Sequence, residues 1–233
     1  MSMEKPEAIL AAEALARMVD YPLLDGGFTE EDVHSGCQLA LELALGSVTV
    51  RPCDLGLAAK WVHGSEVSIG SLAGGANGEE TTAVKVYAAR DLLQRGARHI
   101  QTVINVGKMR SRQFQYIEIE LLQLAQECHR AGAALIIELP VEMLGDDHRV
   151  IVCRIAKRVE ADYIRPVPSA GSLSFFASRL GEIVKLDAGP VATADEARSA
   201  YSAGARRLAA ANPRALLDSC RAAVEKDAGV PGV

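Results

Sequence analysis

Short apolar runs rich in β-branched residues recur along the chain, each preceded by a helical stretch that ends in glycine or another small residue. The junctions read LALGSVTV around Gly46, HGSEVSIG after Gly64, QRGARHIQTVINV after Gly96, RAGAALIIEL after Gly132, VEADYIRPV around Ala161, RLGEIVKL after Gly181 and SAGARRLAA after Gly204. Glycine just past a helix end adopts the left-handed conformation at little cost, and each run that follows is long enough only for a buried strand. These seven junctions, with a first strand over residues 18–24, predict eight strands separated by helices. That count closes a barrel, so residues 1–233 are expected to form one α/β domain, a single (β/α)8 TIM barrel. Residues 1–17 read as an extra N-terminal helix and residues 227–233 as a flexible tail.

An open doubly wound sheet is the competing arrangement, but it opens with a glycine-rich phosphate loop after its first strand. Here the first strand runs into YPLLDGGFTEED, where Thr29 ahead of Glu30, Glu31 and Asp32 predicts a helix N-cap and an acidic first turn. Gly26 and Gly27 then form a turn. The segment at 70–82, GSLAGGANGEETT, is long for a plain connection and is either a lid or ligand loop or a disordered tip. Trp61, Tyr87 and Phe114 fall on helical segments and are expected to pack helices onto the barrel.

Composition narrows the setting. The chain is 49% hydrophobic and 24% charged, as ordinary globular proteins are, and no apolar run reaches the roughly 18 residues of a membrane span. The acidic start lacks the features of a secretory signal, so a soluble cytoplasmic protein without a membrane partner is expected. A formal charge of -5 argues against nucleic acid, and the basic cluster Lys108, Arg110 and Arg112 reads as a solvated loop. The cysteines Cys37, Cys53, Cys128, Cys153 and Cys220 form no CxxC pair and are expected as reduced thiols, Cys53 as a small buried hydrophobe. The histidines show no ligand spacing, and neither a metal nor a cofactor is expected.

Barrel proteins place their working residues at the C-terminal ends of strands. The candidates there are Asp20 and Tyr21; Arg51 and Cys53; Ser68 and Ser71; Gln101 and Asn105; Glu138; Arg165; Lys185 and Asp187; and the small residues at 209–212. Ser68, Ser71 and Asn105 read first as caps or loop ligands, with Asn105 also kept among candidate substrate contacts. Burying Arg51, Arg165 and Lys185 in a barrel mouth is costly unless each is paired or meets an anionic ligand. Asp20, Glu138 and Asp187 are the available partners, which leaves two readings: a closed salt-bridge network or a functional site.

Read in order, several segments resemble the deoxyribose-phosphate aldolases. DYPLL at 20–24 is similar to that family's DHTLL, VRPCDLGLAA at 50–59 to VNPxxxxxA, and GANGEETTAVKV at 75–86 to GANTTEVKV. HIQTVINVG at 99–107 resembles EIDMVINVG, ALIIE at 134–138 resembles KVIIE, and VATADEARSAYSAGARRL at 191–208 resembles IRTxEDAxxxxxAGAxRI. Their collinear order covers the chain from Asp20 to Asn212.

The resemblance implies cleavage of 2-deoxyribose 5-phosphate to acetaldehyde and glyceraldehyde 3-phosphate through a strand-six lysine, with a second lysine on strand seven and an aspartate on strand four. Here Arg165 stands at the strand-six lysine, Gln101 at the aspartate, and Lys185 in VKLDAG is matched to the strand-seven lysine. Schiff-base formation needs a neutral amine, which arginine, with a pKa above about 12, does not supply. The serine-rich phosphate loops are replaced by LDAGPV and AAANP, and Pro190 removes an amide. Three readings follow, the last being that weak native aldolase activity is retained through a compensating change elsewhere. In the first, a divergent carbonyl-handling, lyase-type site uses Lys185 as nucleophile beside Arg165 and Gln101, with Glu138, Asp20 or Asp187 moving protons. In the second, a catalytically silent barrel binds an anionic metabolite or a protein partner, Arg51 and Arg165 suiting a carboxylate. The expected small-molecule partner is thus a small carbonyl or an anionic metabolite, with Arg51, Cys53, Asn105 and Asp187 as candidate substrate contacts. A homodimer is what the resemblance implies for assembly.

Overall fold

The computed structural model describes residues 12–75 and 77–227. Eight strands, β1 Val19–Leu23, β2 Ser47–Val50, β3 Ser68–Leu72, β4 His99–Val103, β5 Ala134–Pro140, β6 Tyr163–Val167, β7 Lys185–Ala188 and β8 Ala205–Ala209, pair in chain order into one closed barrel. Every pairing is parallel, and β8 returns to β1 through Val19 opposite Leu208. The helices are α1 Ala12–Ala16, α2 Glu30–Glu42, α3 Leu55–Trp61, α4 Thr82–Gln94, α5 Val106–Arg110, α6 Phe114–Arg130, α7 Asp146–Arg158, α8 Leu173–Leu180, α9 Ala194–Ser202 and α10 Pro213–Asp227. The predicted single TIM barrel is therefore found. Of the expected N-terminal helix, residues 12–16 are helical and the preceding residues lie outside the described ones, as do tail residues 228–233.

Local chemistry explains the boundaries. Thr29 caps α2 in a reciprocal box with Asp32, the hydroxyl accepting from the Asp32 amide at 3.2 Å and the Thr29 amide donating to Asp32 Oδ2 at 2.8 Å. The junction glycines at 64, 96, 132, 181 and 204 have positive φ, as helix C-termini require. Two junctions differ from expectation. At α2, Ala44 takes the positive φ and Gly46 serves close approach, because a Cβ there would sit 2.0 Å from the Arg17 carbonyl. At α7, Glu160 takes the left-handed conformation ahead of Ala161.

Outward-facing strand residues such as Val19, Val48, Ile100, Ile137 and Ile164 are buried against the helices and form the main apolar core. Trp61 and Phe114 pack against it, as expected. Tyr87 does not: it lies on the solvent face of α4 and is 74% exposed, because the helix buries Lys85, Val86 and Ala89 instead. Cys53 is likewise exposed on the turn after β2 rather than buried, since the strand ends at Val50. The other four cysteines are buried, and burial raises the thiols of Cys37 and Cys153 to about 11 and that of Cys128 to about 12.

The described part of the 70–82 segment is held at both ends. Gly70, Ser71 and Leu72 belong to β3, Thr81 caps α4, and Gly78 packs so closely on the end of β4 that a Cβ would lie 2.3 Å from the Val103 carbonyl. Beneath it the fully buried Lys85 donates to Glu120 at 2.8 Å and to the Val103 carbonyl at 3.0 Å, tying α4 to α6 and to the barrel rim. Among the described residues no helix is long and apolar enough to cross a membrane.

Candidate functional site

Side chains two apart along a strand share a face, so each strand sends alternate residues into the barrel. From β1, β6, β7 and β8 those residues include Asp20, Arg165, Asp187 and Arg207, all at most 13% exposed. Arg165 donates to Asp187 Oδ2 at 2.7 Å, to Asp20 Oδ2 at 3.2 Å and to Gln101 Oε1 at 2.7 Å. Arg207 reaches Asp20 Oδ1 at 2.7 Å, and its Nε lies 3.2 Å from Asp187 Oδ2 without the alignment of a hydrogen bond. Two arginines and two aspartates thus alternate around the interior, and their formal charges cancel. Such an arrangement offsets the cost of burying each ion, which none would survive alone.

The network extends on both sides. Below Asp20, the hydroxyls of Ser47 and Thr49 each donate to its Oδ1 at 2.8 Å, and His99 Nε2 lies 2.8 Å from Thr49 Oγ1 and 2.9 Å from Arg207. Gly70 makes room for that imidazole, since a Cβ would sit 2.1 Å from His99 Nε2. On the mouth side the Gln101 amide donates to Glu138 Oε2. Several buried atoms remain without a hydrogen-bond partner: Arg165 Nε, Asp187 Oδ1 and His99 Nδ1. Buried polar atoms of this kind are places where an ordered water, an ion or a ligand can bond.

Electrostatics follow the geometry. Burial would raise the Asp20 carboxyl, but Arg207, Arg165, His99 and Ser47 together hold it well below the usual carboxylate range. Burial lowers His99, Arg207 and Arg165 lower it further, and Asp20 opposes them only in part, so the imidazole is neutral. Arg165 is lowered by burial and raised more strongly by Asp187 and Asp20, which fixes it as a cation. Glu138 moves the other way. Burial and Asp187 push its carboxyl up against Arg165 and Gln101, and it is the carboxyl of this group with no arginine in hydrogen-bond contact.

Not every expected residue joins the cluster. Asp20, Gln101, Glu138, Arg165 and Asp187 converge, whereas Lys185 does not. It is the first residue of β7, exposed at the N-terminal end of the barrel, with Nζ 5.8 Å from the Tyr163 ring centre. Asp187, two residues on, holds the level beside Arg165 where the second lysine was anticipated. The strand starts at Lys185, which leaves that side chain about one strand repeat, roughly 6–7 Å, below the cluster. Lys185 lines a separate cavity of about 660 Å³ with Tyr163, Glu182 and Arg206. Arg51 is at the C-terminal rim but is committed to the loop after β1, bonding Asp54 at 2.6 Å and the carbonyls of Asp25, Gly26 and Phe28. Asn105 caps α5, accepting from the Lys108 amide at 3.0 Å, and Cys53 is exposed nearby on the β2–α3 turn. Arg207, His99, Ser47 and Thr49 were absent from the expected set. The pair Arg206-Arg207 within a predicted strand was the available signal, since alternation obliges one of two adjacent charges to face inward. Among the described residues no group of three His, Cys, Asp or Glu side chains is placed to hold a metal ion.

A closed parallel barrel with a polar, ion-paired interior defines an α/β-barrel protein. No protein-family model matches the chain. The chain is similar to the deoxyribose-phosphate aldolase of Treponema denticola, 28% identical over 211 residues that span 87% of this chain and 98% of that one. The aldolase of Bacteroides thetaiotaomicron is 30% identical over 165 residues, 71% of this chain and 69% of the other. Among solved structures, the deoxyribose phosphate aldolase of Aeropyrum pernix, described as tetrameric, superposes with a TM-score of 0.84 at 19% identity, covering 96% of this chain and 100% of that one. The chain belongs to the deoxyribose-phosphate aldolase family.

Proposed function

We propose that this aldolase-like barrel binds a small carbonyl metabolite without forming a Schiff base at its mouth. The observation that carries the reading is the position of Arg165, fixed between Asp20, Asp187 and Gln101 where the resemblance implies the nucleophilic lysine. An arginine so paired has no lone pair to offer a carbonyl carbon. Among the described residues, Lys60, Lys85, Lys108, Lys157 and Lys226 sit on helices, and Lys185 lies at the opposite end of the barrel. What the mouth does offer is Glu138, a carboxyl that burial pushes up from its ordinary value, beside the Gln101 amide. Because the arginine and aspartate charges cancel, a neutral hydroxycarbonyl compound donating a hydroxyl to Glu138 fits this surface better than a strongly charged phosphate ester.

The test pairs a turnover assay with binding. Wild-type protein should not cleave 2-deoxyribose 5-phosphate in a coupled assay, and should bind members of a hydroxycarbonyl panel by calorimetry with affinity at least about tenfold lower in Glu138→Ala. Turnover of the aldolase substrate, or binding indifferent to Glu138, overturns the reading. A second reading keeps a reactive lysine but moves it: Lys185 lines its own cavity and makes no ion pair among the described residues. Borohydride reduction in the presence of small aldehydes, followed by peptide mapping, separates the two. An adduct on Lys185 that is lost in Lys185→Met supports the second, and an unmodified chain supports the first.

A further inference from the structure

We propose that Glu138 and Gln101 exchange the α-proton of a bound hydroxycarbonyl compound through an enediolate, with no covalent bond to the protein; this rests on the carbonyl binding proposed for the mouth. The two side chains carry different halves of that chemistry. Gln101 donates one amide hydrogen to Glu138 Oε2, and its own Oε1 accepts from Arg165 Nη1 at 2.7 Å. The second hydrogen on Gln101 Nε2 and the second oxygen of Glu138, Oε1, have no partner among the described residues. Unlike the interior atoms Arg165 Nε and Asp187 Oδ1, Glu138 Oε1 is not sealed from solvent, and its residue is half-buried. β4 and β5 pair Gln101 with Ile136 and Val103 with Glu138, so Glu138 stands one inward-facing position nearer the mouth. A free donor and a free acceptor therefore lie side by side at the open end of the network.

Their surroundings suit the roles of base and electrophile. Asp20 and Asp187 each contact an arginine, and a carboxylate so paired is a weak base. Glu138 contacts only a neutral amide, and burial pushes its carboxyl up, which makes its carboxylate the stronger proton acceptor. Arg165 keeps a fixed positive charge behind the Gln101 carbonyl, polarising the amide and strengthening its N–H as a donor. The carbonyl oxygen of the ligand accepts from that free N–H, and the carbon whose hydroxyl Glu138 accepts faces Oε1. Oε1 removes the hydrogen from this carbon: the C–H bond breaks, its electron pair becomes the C=C bond of the enediolate, and the carbonyl π pair moves to the oxygen held by Gln101. Glu138 trades its new proton with water and returns one to the same carbon, which completes the exchange. Return to the adjacent carbon, as the hydroxyl proton passes from one ligand oxygen to the other, interconverts a hydroxyaldehyde and a hydroxyketone.

Proton NMR on the full chain in deuterium oxide, with dihydroxyacetone and glycolaldehyde as probes and calorimetry on the same samples, tests the proposal. Wild-type protein should replace the carbon-bound α-hydrogens of the probes with deuterium at least about 100-fold faster than Glu138→Gln, the worth of a positioned general base. Glutamine keeps an acceptor oxygen there, so probe binding should stay within about threefold of wild type. Glu138→Asp, a carboxylate set back by one methylene, should exchange at a rate between the two. Binding without exchange above the solvent rate overturns this inference and leaves the binding proposal standing, whereas an absence of binding overturns both. Exchange that survives in Glu138→Gln overturns it too, as does exchange that disappears in Lys185→Met and so belongs to an imine.

Discussion

Two buried charge clusters in this molecule look alike and are built for different ends. Lys85 and Glu120 are both fully buried between α4 and α6, and their valences are taken up locally: the ammonium donates to Glu120 and the Val103 carbonyl, and Thr82 donates to the second carboxylate oxygen at 3.2 Å. The barrel cluster of Asp20, Arg165, Asp187 and Arg207 is larger and also neutral, yet it leaves Arg165 Nε and Asp187 Oδ1 without partners and passes through Gln101 to a half-buried Glu138 at the mouth. The first is a closed tie between helices. The second is a network with an open end, and that open end is where a ligand is to be sought.

Breaking the closed tie should have the largest effect. Removing one partner leaves an uncompensated buried charge, so Glu120→Ala should cost about 3–5 kcal/mol in chemical denaturation, whereas Lys85→Met combined with Glu120→Met should recover much of the loss. If the double replacement is as damaging as the single one, the pair does more than neutralise itself. Gly70→Ala tests how tightly the barrel network is packed. The added methyl collides with the His99 ring, 2.1 Å away, and a shift of that ring should cost about 1–3 kcal/mol and weaken ligand binding at the mouth. An unchanged unfolding midpoint would mean that the interior is looser than its geometry indicates.

Smaller effects come from protons. His99 is held neutral in the folded protein, its pKa lowered, so it contributes stability above its unfolded value near about 6.5 that is lost as pH falls through the folded value. Relative to His99→Gln, the wild type should lose up to about 1.4 kcal/mol per pH unit below that point. Glu138 has the opposite sign. Its raised carboxyl favours the protonated folded state, so its contribution is present below its unfolded value near about 4.3 and is lost as pH rises through the folded one. Glu138→Gln should therefore flatten the wild-type decline as pH rises above about 4, a difference of around 1 kcal/mol or less. Thermal melts of both variants across this range distinguish the two contributions, and a single slope shared by all three proteins would remove the distinction between the sealed and open ends of the network.

Much of this architecture is legible in the sequence because it rests on local rules. Glycines past helix ends, Thr29 ahead of an acidic turn, and short apolar runs each report on a few neighbouring residues, and together they determine the strand count and hence the closed barrel. The residue types at the strand-six and strand-four positions, Arg165 and Gln101, are read in the same way and already place the ordinary Schiff-base chemistry in question. Other matters depend on the barrel itself. Lys185 and Asp187 share one face of one strand, and the stagger between β6 and β7 decides which of them meets Arg165. Arg207 and His99 come from opposite parts of the chain and become a site only when β8 closes on β1 and the imidazole fits over Gly70. Tyr87 occupies a helical position that suits packing as well as exposure, and the helix turned it outward because Lys85, Val86 and Ala89 took the buried side. The sequence by itself determined a barrel and an arginine, Arg165, at the position the resemblance matches to the strand-six lysine. Tertiary structure decided which charges face one another, because that depends on register and closure between strands far apart in the chain, to which no local pattern responds.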